Sequence, residues 1–178
     1  MMRIGVFYTV HPRRGVDSVK ARVDRREFEG DLMKKIEKTD IGLLLIRLAL
    51  GAVFVVHGLD KFFPALVGSG GGGIEGFTKF LTDLNVPQPQ AMAYITAACE
   101  LGGGALVVLG LFTRIGALAI VGVMTVAFVN VHMRNGFFAP AGFEYVMVLG
   151  AAALALVVAG AGSMGADAMF GKKGPKKP

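Results

Sequence analysis

Two ionisable residues, Arg47 and Glu100, lie within long apolar runs of the sequence. A charged side chain inside a membrane-spanning helix is costly, so it usually faces the interior of a helix bundle, where it pairs or borders a polar cavity. Measured from the side of the chain termini, Arg47 would lie roughly 9 Å deep and Glu100 roughly 16 Å deep, a gap that an arginine can bridge. This chemistry suits a cavity that binds a polar head group or relays protons. A structural ion pair, or an arginine that extends to the interface, would use the same residues.

Polar residues also gather where three of the apolar runs begin or end. They are His57, Asp60, Lys61, His132, Arg134, Glu144 and Tyr145. In a helix bundle these side chains would lie at a similar depth, on the side opposite the termini, and form an outward-facing polar site. Ordinary polar residues at helix ends would give the same pattern. The candidates for ligand binding or proton transfer are therefore Arg47, His57, Lys61, Glu100, His132 and Glu144.

Histidines at two helix ends raise the question of a haem or a metal. His57 and His132 could ligate a b-type haem, or join Glu144 or Asp60 around a metal ion. The repeated helix spacing typical of such sites is missing, so we predict neither a metal nor a haem. Cys99 is the single cysteine, which excludes an intrachain disulfide, and the sequence contains no cofactor motif.

The elements that must position these residues are apolar helices. Hydrophobic residues make up 53% of the 178 residues and charged residues only 18%, whereas soluble domains carry about 25% charged residues. Four apolar runs, at 41–59, 91–111, 115–133 and 143–159, predict four membrane-spanning helices. Gly102, Gly103 and Gly104, with small neighbours, indicate close helix packing rather than a phosphate loop. The predicted fold is an all-α, polytopic four-helix membrane bundle.

The loop at 62–90 carries a structure of its own. After the glycine-rich stretch 68–73, residues Ile74, Phe77, Leu81 and Leu84 recur at helical spacing. This pattern predicts a short amphipathic helix at 74–84 that lies at the membrane interface in the first outer loop.

Basic residues divide unequally between the two sides. The N-terminal arm, residues 1–40, holds ten, the turn between the second and third spans holds Arg114, and the tail, 171–178, holds four, against Lys61, Lys79 and Arg134 opposite. The positive-inside rule then places both termini in the cytoplasm of a bacterial-type inner membrane. The net charge of +6 is thus a topology signal and an attraction to anionic lipid, and no nucleic-acid motif accompanies it. The arm itself is predicted to be a surface helix or partly disordered, and 41–170 to be the membrane domain.

Four segments in order carry a family resemblance. They are RLALGAVFVVHGLDKF at 47–62, ELGGGALVVLGLFTR at 100–114, His132 with GFEY at 142–145, and GAGSMGAD at 160–167. Together they resemble the DoxX/DoxD-like family of four-helix membrane proteins over about residues 40–170. The matching motif positions are Arg47, Lys61, Glu100, Arg114 and Glu144, and Arg114 and Asp167 are expected to be structural.

The resemblance implies a membrane redox setting. Named members are subunits of a quinone-reducing thiosulfate oxidoreductase or are linked to a terminal quinol oxidase, and others are thought to work with enzymes of oxidative-stress defence. We therefore expect a membrane subunit of an oxidoreductase, rather than a complete enzyme, that binds a quinone head group in its polar cavity. Any electrons would come from a protein partner in a respiratory or redox complex, or from a bound cofactor.

Two other functions fit the sequence. The chain could be a non-catalytic accessory or assembly subunit that docks on a larger respiratory complex through its arm. It could also be a small-molecule channel or transporter, although four short spans without an internal repeat argue against a substrate path within one copy.

Overall fold

The computed structural model describes the backbone of residues 14–170 and the side chains of residues 38–168. The chain divides into two compact units, Met1–Lys38 and Thr39–Pro178. Predictions about the side chains of the arm up to residue 37, and about the tail at 171–178, therefore lie outside the described residues.

All regular structure in the described residues is helical, which confirms the predicted all-α class. The helices are α1 Arg14–Phe62, α2 Pro64–Val67, α3 Gly73–Asp83, α4 Pro89–Leu109, α5 Thr113–Ala127, α6 Glu144–Ala159 and α7 Asp167–Phe170. Beyond α5 the chain continues as a π-helical turn, Phe128–His132, and a 3-10 turn, Met133–Asn135. The amphipathic helix predicted at 74–84 is α3, with Leu81 buried.

Three helical segments are long and apolar enough to cross a membrane: Lys38–Phe62, Pro89–Leu109 and Thr113–Asn135. They correspond to the first three predicted spans. The fourth predicted span is α6, which is apolar but only 16 residues long. At 1.5 Å per residue this is about 24 Å, somewhat shorter than a typical hydrocarbon core.

Glycines allow α4 to approach both α1 and α5 closely. A Cβ added to Gly58 would lie 2.5 Å from the backbone nitrogen of Leu101, and one added to Gly104 would lie 2.8 Å from the backbone nitrogen of Val55. Gly103 on α4 faces the Gly116 carbonyl on α5 in the same way. Gly102 has open space around it, so the predicted packing role holds for Gly103 and Gly104 but not for Gly102.

A buried apolar cluster fills the middle of the second unit. It includes Leu50 and Phe54 of α1, Val107 of α4, Ile120 of α5 and Leu156 of α6. Many large apolar side chains point outward instead, among them Leu45, Ile95, Leu118, Val148 and Val158. Exposed apolar faces on every long helix are the pattern expected of helices surrounded by lipid. The central cluster separates two polar levels, which we call the Arg47 end and the Lys61 end.

Candidate functional site

The main polar feature of the Lys61 end is an ion pair between α1 and α4. Lys61 Nζ lies 2.6 Å from Glu100 Oε2, and the two side chains are only 11% and 8% exposed. The same ammonium lies 4.6 Å from the centre of the Phe77 ring on α3, a cation–π contact. Because α1 and α4 run antiparallel and touch at Gly58, a residue near the end of α1 reaches Glu100 in the middle of α4.

A cavity of about 160 Å³ lies between α1, α4, α5 and α6 at this end, and we call it the central cavity. Glu100 and His132 both form part of its wall. The complete lining is Val53, Phe54, His57, Glu100, Met124, Ala127, His132, Tyr145, Val146 and Leu149. An apolar wall with a few converging polar groups is the usual character of a small-molecule site.

A second cavity, of about 210 Å³, lies between α3, α4 and α5, and we call it the α3 cavity. Its walls include Phe77 and Leu84 of the α3 segment and Thr96 of α4. The two cavities share Glu100, Met124, Ala127 and His132. Glu100 and His132 therefore stand where the two cavities meet.

The orientation of His132 follows from the π-helical turn that carries it. Its Nδ1 lies 2.8 Å from the carbonyl oxygen of Ala141. A carbonyl can only accept, so Nδ1 bears the hydrogen and, in the neutral ring, Nε2 keeps a lone pair. Turns of this kind recur at functional sites, because the extra residue changes the direction of the side chains that follow.

The remaining candidates of the Lys61 end have different surroundings. His57 is exposed but lines the central cavity. Glu144 Oε1 accepts a hydrogen bond of 2.9 Å from the backbone N–H of Ala139, and Asp60 accepts one from the Ser69 hydroxyl. Glu144 thus holds the loop before α6 and does not line either cavity. Within residues 38–168, no three His, Cys, Asp or Glu side chains group in a way that could hold a metal ion.

Arg47 does not form the ion pair with Glu100 that the sequence allowed. Its side chain is 1% exposed and donates to three carbonyls at the Arg47 end. Nε lies 3.0 Å from the Val107 oxygen, one terminal nitrogen 2.9 Å from that of Val108, and the other 3.0 Å from that of Ala161. The guanidinium therefore joins the carboxyl end of α4 to the segment after α6. The physical reason is antiparallel packing, which places the end of α4, rather than its middle, beside Arg47.

Two carboxylates complete the polar network at the Arg47 end. Asp167 accepts hydrogen bonds from the backbone N–H groups of Phe112, at 2.7 Å, and Thr113, at 3.1 Å, so it caps α5. Asp40 accepts from both the N–H and the hydroxyl of Ser163. The Arg114 guanidinium donates to the Val158 carbonyl at 3.2 Å. Through these contacts Asp167 and Arg114 join the start of α5 to the end of α6 and to the segment that follows it.

The capping role of Asp167 predicts a dependence of stability on pH. Burial alone would raise the pKa of Asp167, but the hydrogen bonds from Thr113 and Phe112 and the charge of Arg47 outweigh it and lower that pKa. A carboxyl whose folded pKa lies below its unfolded value stabilises the fold above the unfolded pKa, about 4. That contribution is lost as the pH falls through the lowered folded pKa.

The measurement is the melting temperature of the detergent-solubilised protein between about pH 2 and pH 6. We expect it to fall towards the acid end in the wild type and to fall less in Asp167→Asn, which lacks the titrating group. An identical acid profile for the two proteins would show that Asp167 is not a source of the acid sensitivity.

Several contact residues were not predicted from the sequence. Phe77 was assigned to the apolar face of an interfacial helix, whereas its ring also contacts Lys61. The bond between Asp40 and Ser163 joins residues 123 positions apart and has no local sequence signal. The π-helical turn likewise has no recognisable sequence signal, although the apolar span is interrupted there by polar residues, which are Asn130, His132 and Asn135.

Comparison with known proteins places the chain in a family. The sequence profile of the DoxX family matches residues 42–133. The chain is 38% identical over 117 residues to "Putative oxidoreductase CatD" of Bacillus subtilis, covering 66% of this chain and 79% of that protein. It is 31% identical over 137 residues to an uncharacterized protein of Haemophilus influenzae, covering 74% and 92%. It is also 31% identical over 72 residues to "Inner membrane protein YphA" of Escherichia coli, covering 40% and 45%. No solved structure matches the chain. With its profile match and these relatives, this chain belongs to the DoxX family of membrane proteins.

Proposed function

We propose that the protein is a membrane subunit linked to redox chemistry, and that it binds a quinone head group in the central cavity. The redox part draws support from the DoxX family and from a Bacillus subtilis relative whose name describes an oxidoreductase. The binding part rests on one observation, which is that Glu100, His132 and His57 converge on a cavity whose other walls are mainly apolar.

The size and chemistry of the central cavity favour a ring-sized ligand. Its volume of about 160 Å³ is below the roughly 300–1,000 Å³ of pockets for drug-sized ligands. A hydroquinone donates two O–H groups, and Nε2 of His132 can accept one of them because Nδ1 is bonded to Ala141. The carboxylate of Glu100 can accept the other.

Proton transfer follows from the same contacts. Reduction of a quinone to a hydroquinone takes up two electrons and two protons, and its oxidation releases them. His132 and Glu100 would exchange protons with the ligand oxygens, while the exposed His57 connects the cavity with the surface. Lys61 holds Glu100 in position by its short contact. The electrons would be passed to or from a partner redox protein.

The test is saturable binding of a tailless dimethoxy-methyl-benzoquinone and its hydroquinone to the purified, detergent-solubilised protein. We expect the hydroquinone to bind about tenfold more weakly to Glu100→Gln, because a charge-assisted hydrogen bond is lost. The control is Glu75→Gln, an exposed glutamate on α3, which should bind as the wild type does. Absence of saturable binding by either form of the probe to the wild type would contradict the proposal.

We also propose that α6 crosses the membrane, giving four spans. The helix is antiparallel to α5 and of similar height. Phe143 at its start contacts Phe128 edge to face, with ring centres 5.2 Å apart, and the Val158 carbonyl near its end accepts a hydrogen bond from Arg114. Four spans leave both termini on one side, and the basic residues favour the cytoplasm of a bacterial inner membrane. The proposed surroundings are thus the bilayer and its anionic lipids.

Labelling of single cysteines in intact cells tests this topology. In a Cys99→Ala background, the Phe137→Cys variant should react with a membrane-impermeant maleimide, and the Lys172→Cys variant should react only after lysis. The reverse pattern would contradict the orientation, and labelling of both positions in intact cells would contradict four spans.

An accessory or assembly role remains the alternative. It depends on docking through the N-terminal arm, whose side chains up to residue 37 lie outside the described residues, and it stays a prediction from the sequence.

A further inference from the structure

The α3 cavity lies beside the central cavity but differs from it in chemistry. Its walls away from Glu100 are mainly apolar, with Phe77, Phe80, Leu81 and Leu84 supplied by the α3 segment. Its volume, about 210 Å³, is larger than that of the central cavity. The apolar side of the amphipathic helix α3 therefore covers a space large enough for another group.

The two cavities meet along a common wall. Glu100, His132, Met124 and Ala127 line both of them. Thr96, one helical turn before Glu100 on α4, lines only the α3 cavity, whereas Phe54 lines only the central cavity. A ligand that contacts Glu100 in one cavity therefore lies directly beside the other.

We propose that the α3 cavity holds the apolar chain of a lipid-soluble quinone whose head group lies in the central cavity. This inference rests on the proposed function and specifies its substrate class, which is a quinone with an alkyl or isoprenoid tail rather than a water-soluble one. The polar groups lie in the wall that the two cavities share, and the apolar groups lie on the α3 side. Polar and apolar lining therefore follow one another as the head group and the tail do in such a quinone.

The position of α3 supports this occupant. The Lys61 ammonium contacts both Glu100 and the Phe77 ring, so the covering helix is linked to the carboxylate at the junction. The glycine-rich segment before α3 includes Gly68, Gly70 and Gly72, and these three residues have positive φ, as does Gly73 at the start of α3. Such a segment lets α3 lie against α4 without a continuous helical connection to α1.

The experiment compares two probes with the same benzoquinone head group, one tailless and one with a decyl tail. Leu84→Trp fills the α3 cavity from α3, and Thr96→Leu fills it from α4. The control is Thr82→Trp, which adds the same bulk at an exposed position of α3 that lines neither cavity. Each probe is compared between variants in the same detergent, so its partition into the micelle cancels.

We expect Leu84→Trp to weaken binding of the decyl probe about tenfold, because the indole ring takes up space that the tail would occupy. Binding of the tailless probe should stay within about twofold of the wild type in every variant. Thr96→Leu should weaken the decyl probe in the same direction, and it provides the reading if Leu84→Trp does not fold. Thr82→Trp should leave both probes unchanged.

The outcomes separate the two proposals. If the wild type binds neither probe, the proposed function fails. If it binds both probes and the filling variants weaken both equally or neither, the proposed function stands and the tail site is wrong. Equal weakening of both probes, or of neither, is also the result expected if a bilayer lipid, rather than the tail of the ligand, occupies the α3 cavity.

Discussion

Replacing Arg47 with methionine is expected to lower the free energy of unfolding by about 3 kcal/mol or more. The guanidinium donates to three carbonyls, those of Val107, Val108 and Ala161, and is almost fully buried. Methionine fills a similar volume but donates nothing, so carbonyls at the end of α4 and after α6 lose their partners. The measurement is the midpoint and slope of reversible unfolding in mixed detergent micelles, followed by circular dichroism.

Two further variants identify the cause of the loss at Arg47. Arg47→Lys keeps the charge but cannot direct N–H groups at three separated carbonyls, so we expect it to recover less than half of the lost stability. Arg114→Met is the matched control, because Arg114 is exposed and makes a single hydrogen bond to Val158. It should cost less than about 1 kcal/mol. Full recovery of the free energy of unfolding in Arg47→Lys would show that the charge of Arg47, and not the geometry of its three hydrogen bonds, stabilises the protein.

The second large effect is expected at the Lys61–Glu100 pair. Removing one partner of a buried pair leaves the other charge unpaired, at a cost of about 3–5 kcal/mol, while removing both is often far less costly. Lys61→Met and Glu100→Gln should therefore each destabilise the protein strongly. The double variant should lose less free energy of unfolding than the sum of the two single losses, and the difference is a coupling energy of about 1–3 kcal/mol.

The control for this cycle uses exposed charges of the same types. Lys79 and Glu75 lie on α3, where both are exposed. Lys79→Met and Glu75→Gln should each change the free energy of unfolding by less than about 0.5 kcal/mol, and their coupling energy, as an i, i+4 pair, should also stay below about 0.5 kcal/mol. Additive losses for Lys61→Met and Glu100→Gln would contradict the inferred interaction between these two residues.

The helices were predictable because their signals are strong and local. Long apolar runs predicted three segments that can cross a membrane, and spacing at i, i+3 and i+7 predicted α3 to within one residue at each end. The exact ends of the helices depended on the backbone conformation of single residues. The second apolar run extends to residue 111, whereas α4 ends at Leu109 because Gly110 takes a left-handed conformation, with φ of 68°.

The candidate site was predictable as a set of residues but not as a set of contacts. The free-energy cost of a charge inside a membrane-spanning helix identified Arg47 and Glu100 as residues that need partners within the bundle. It does not decide which partner each residue takes, since that depends on the register between α1 and α4. That register is set by Gly58 against Leu101 and Gly51 against Gly104, which place Lys61 beside Glu100 and Arg47 beside Val107. Glu144 bonds to its own loop because the chain turns back at Ala139.

The two polar levels have a mechanical consequence. Arg47 joins α1 to α4 at one end, and the Lys61–Glu100 pair joins the same two helices at the other, with glycine contacts between them. Two helices held together at both ends cannot move apart at one end, so α1 and α4 form the stationary part of the bundle. Any widening of the central cavity must then come from displacement of α3, α5 or α6, and the turn at Phe128–His132, which interrupts regular α-helix, is the natural hinge of that moving wall.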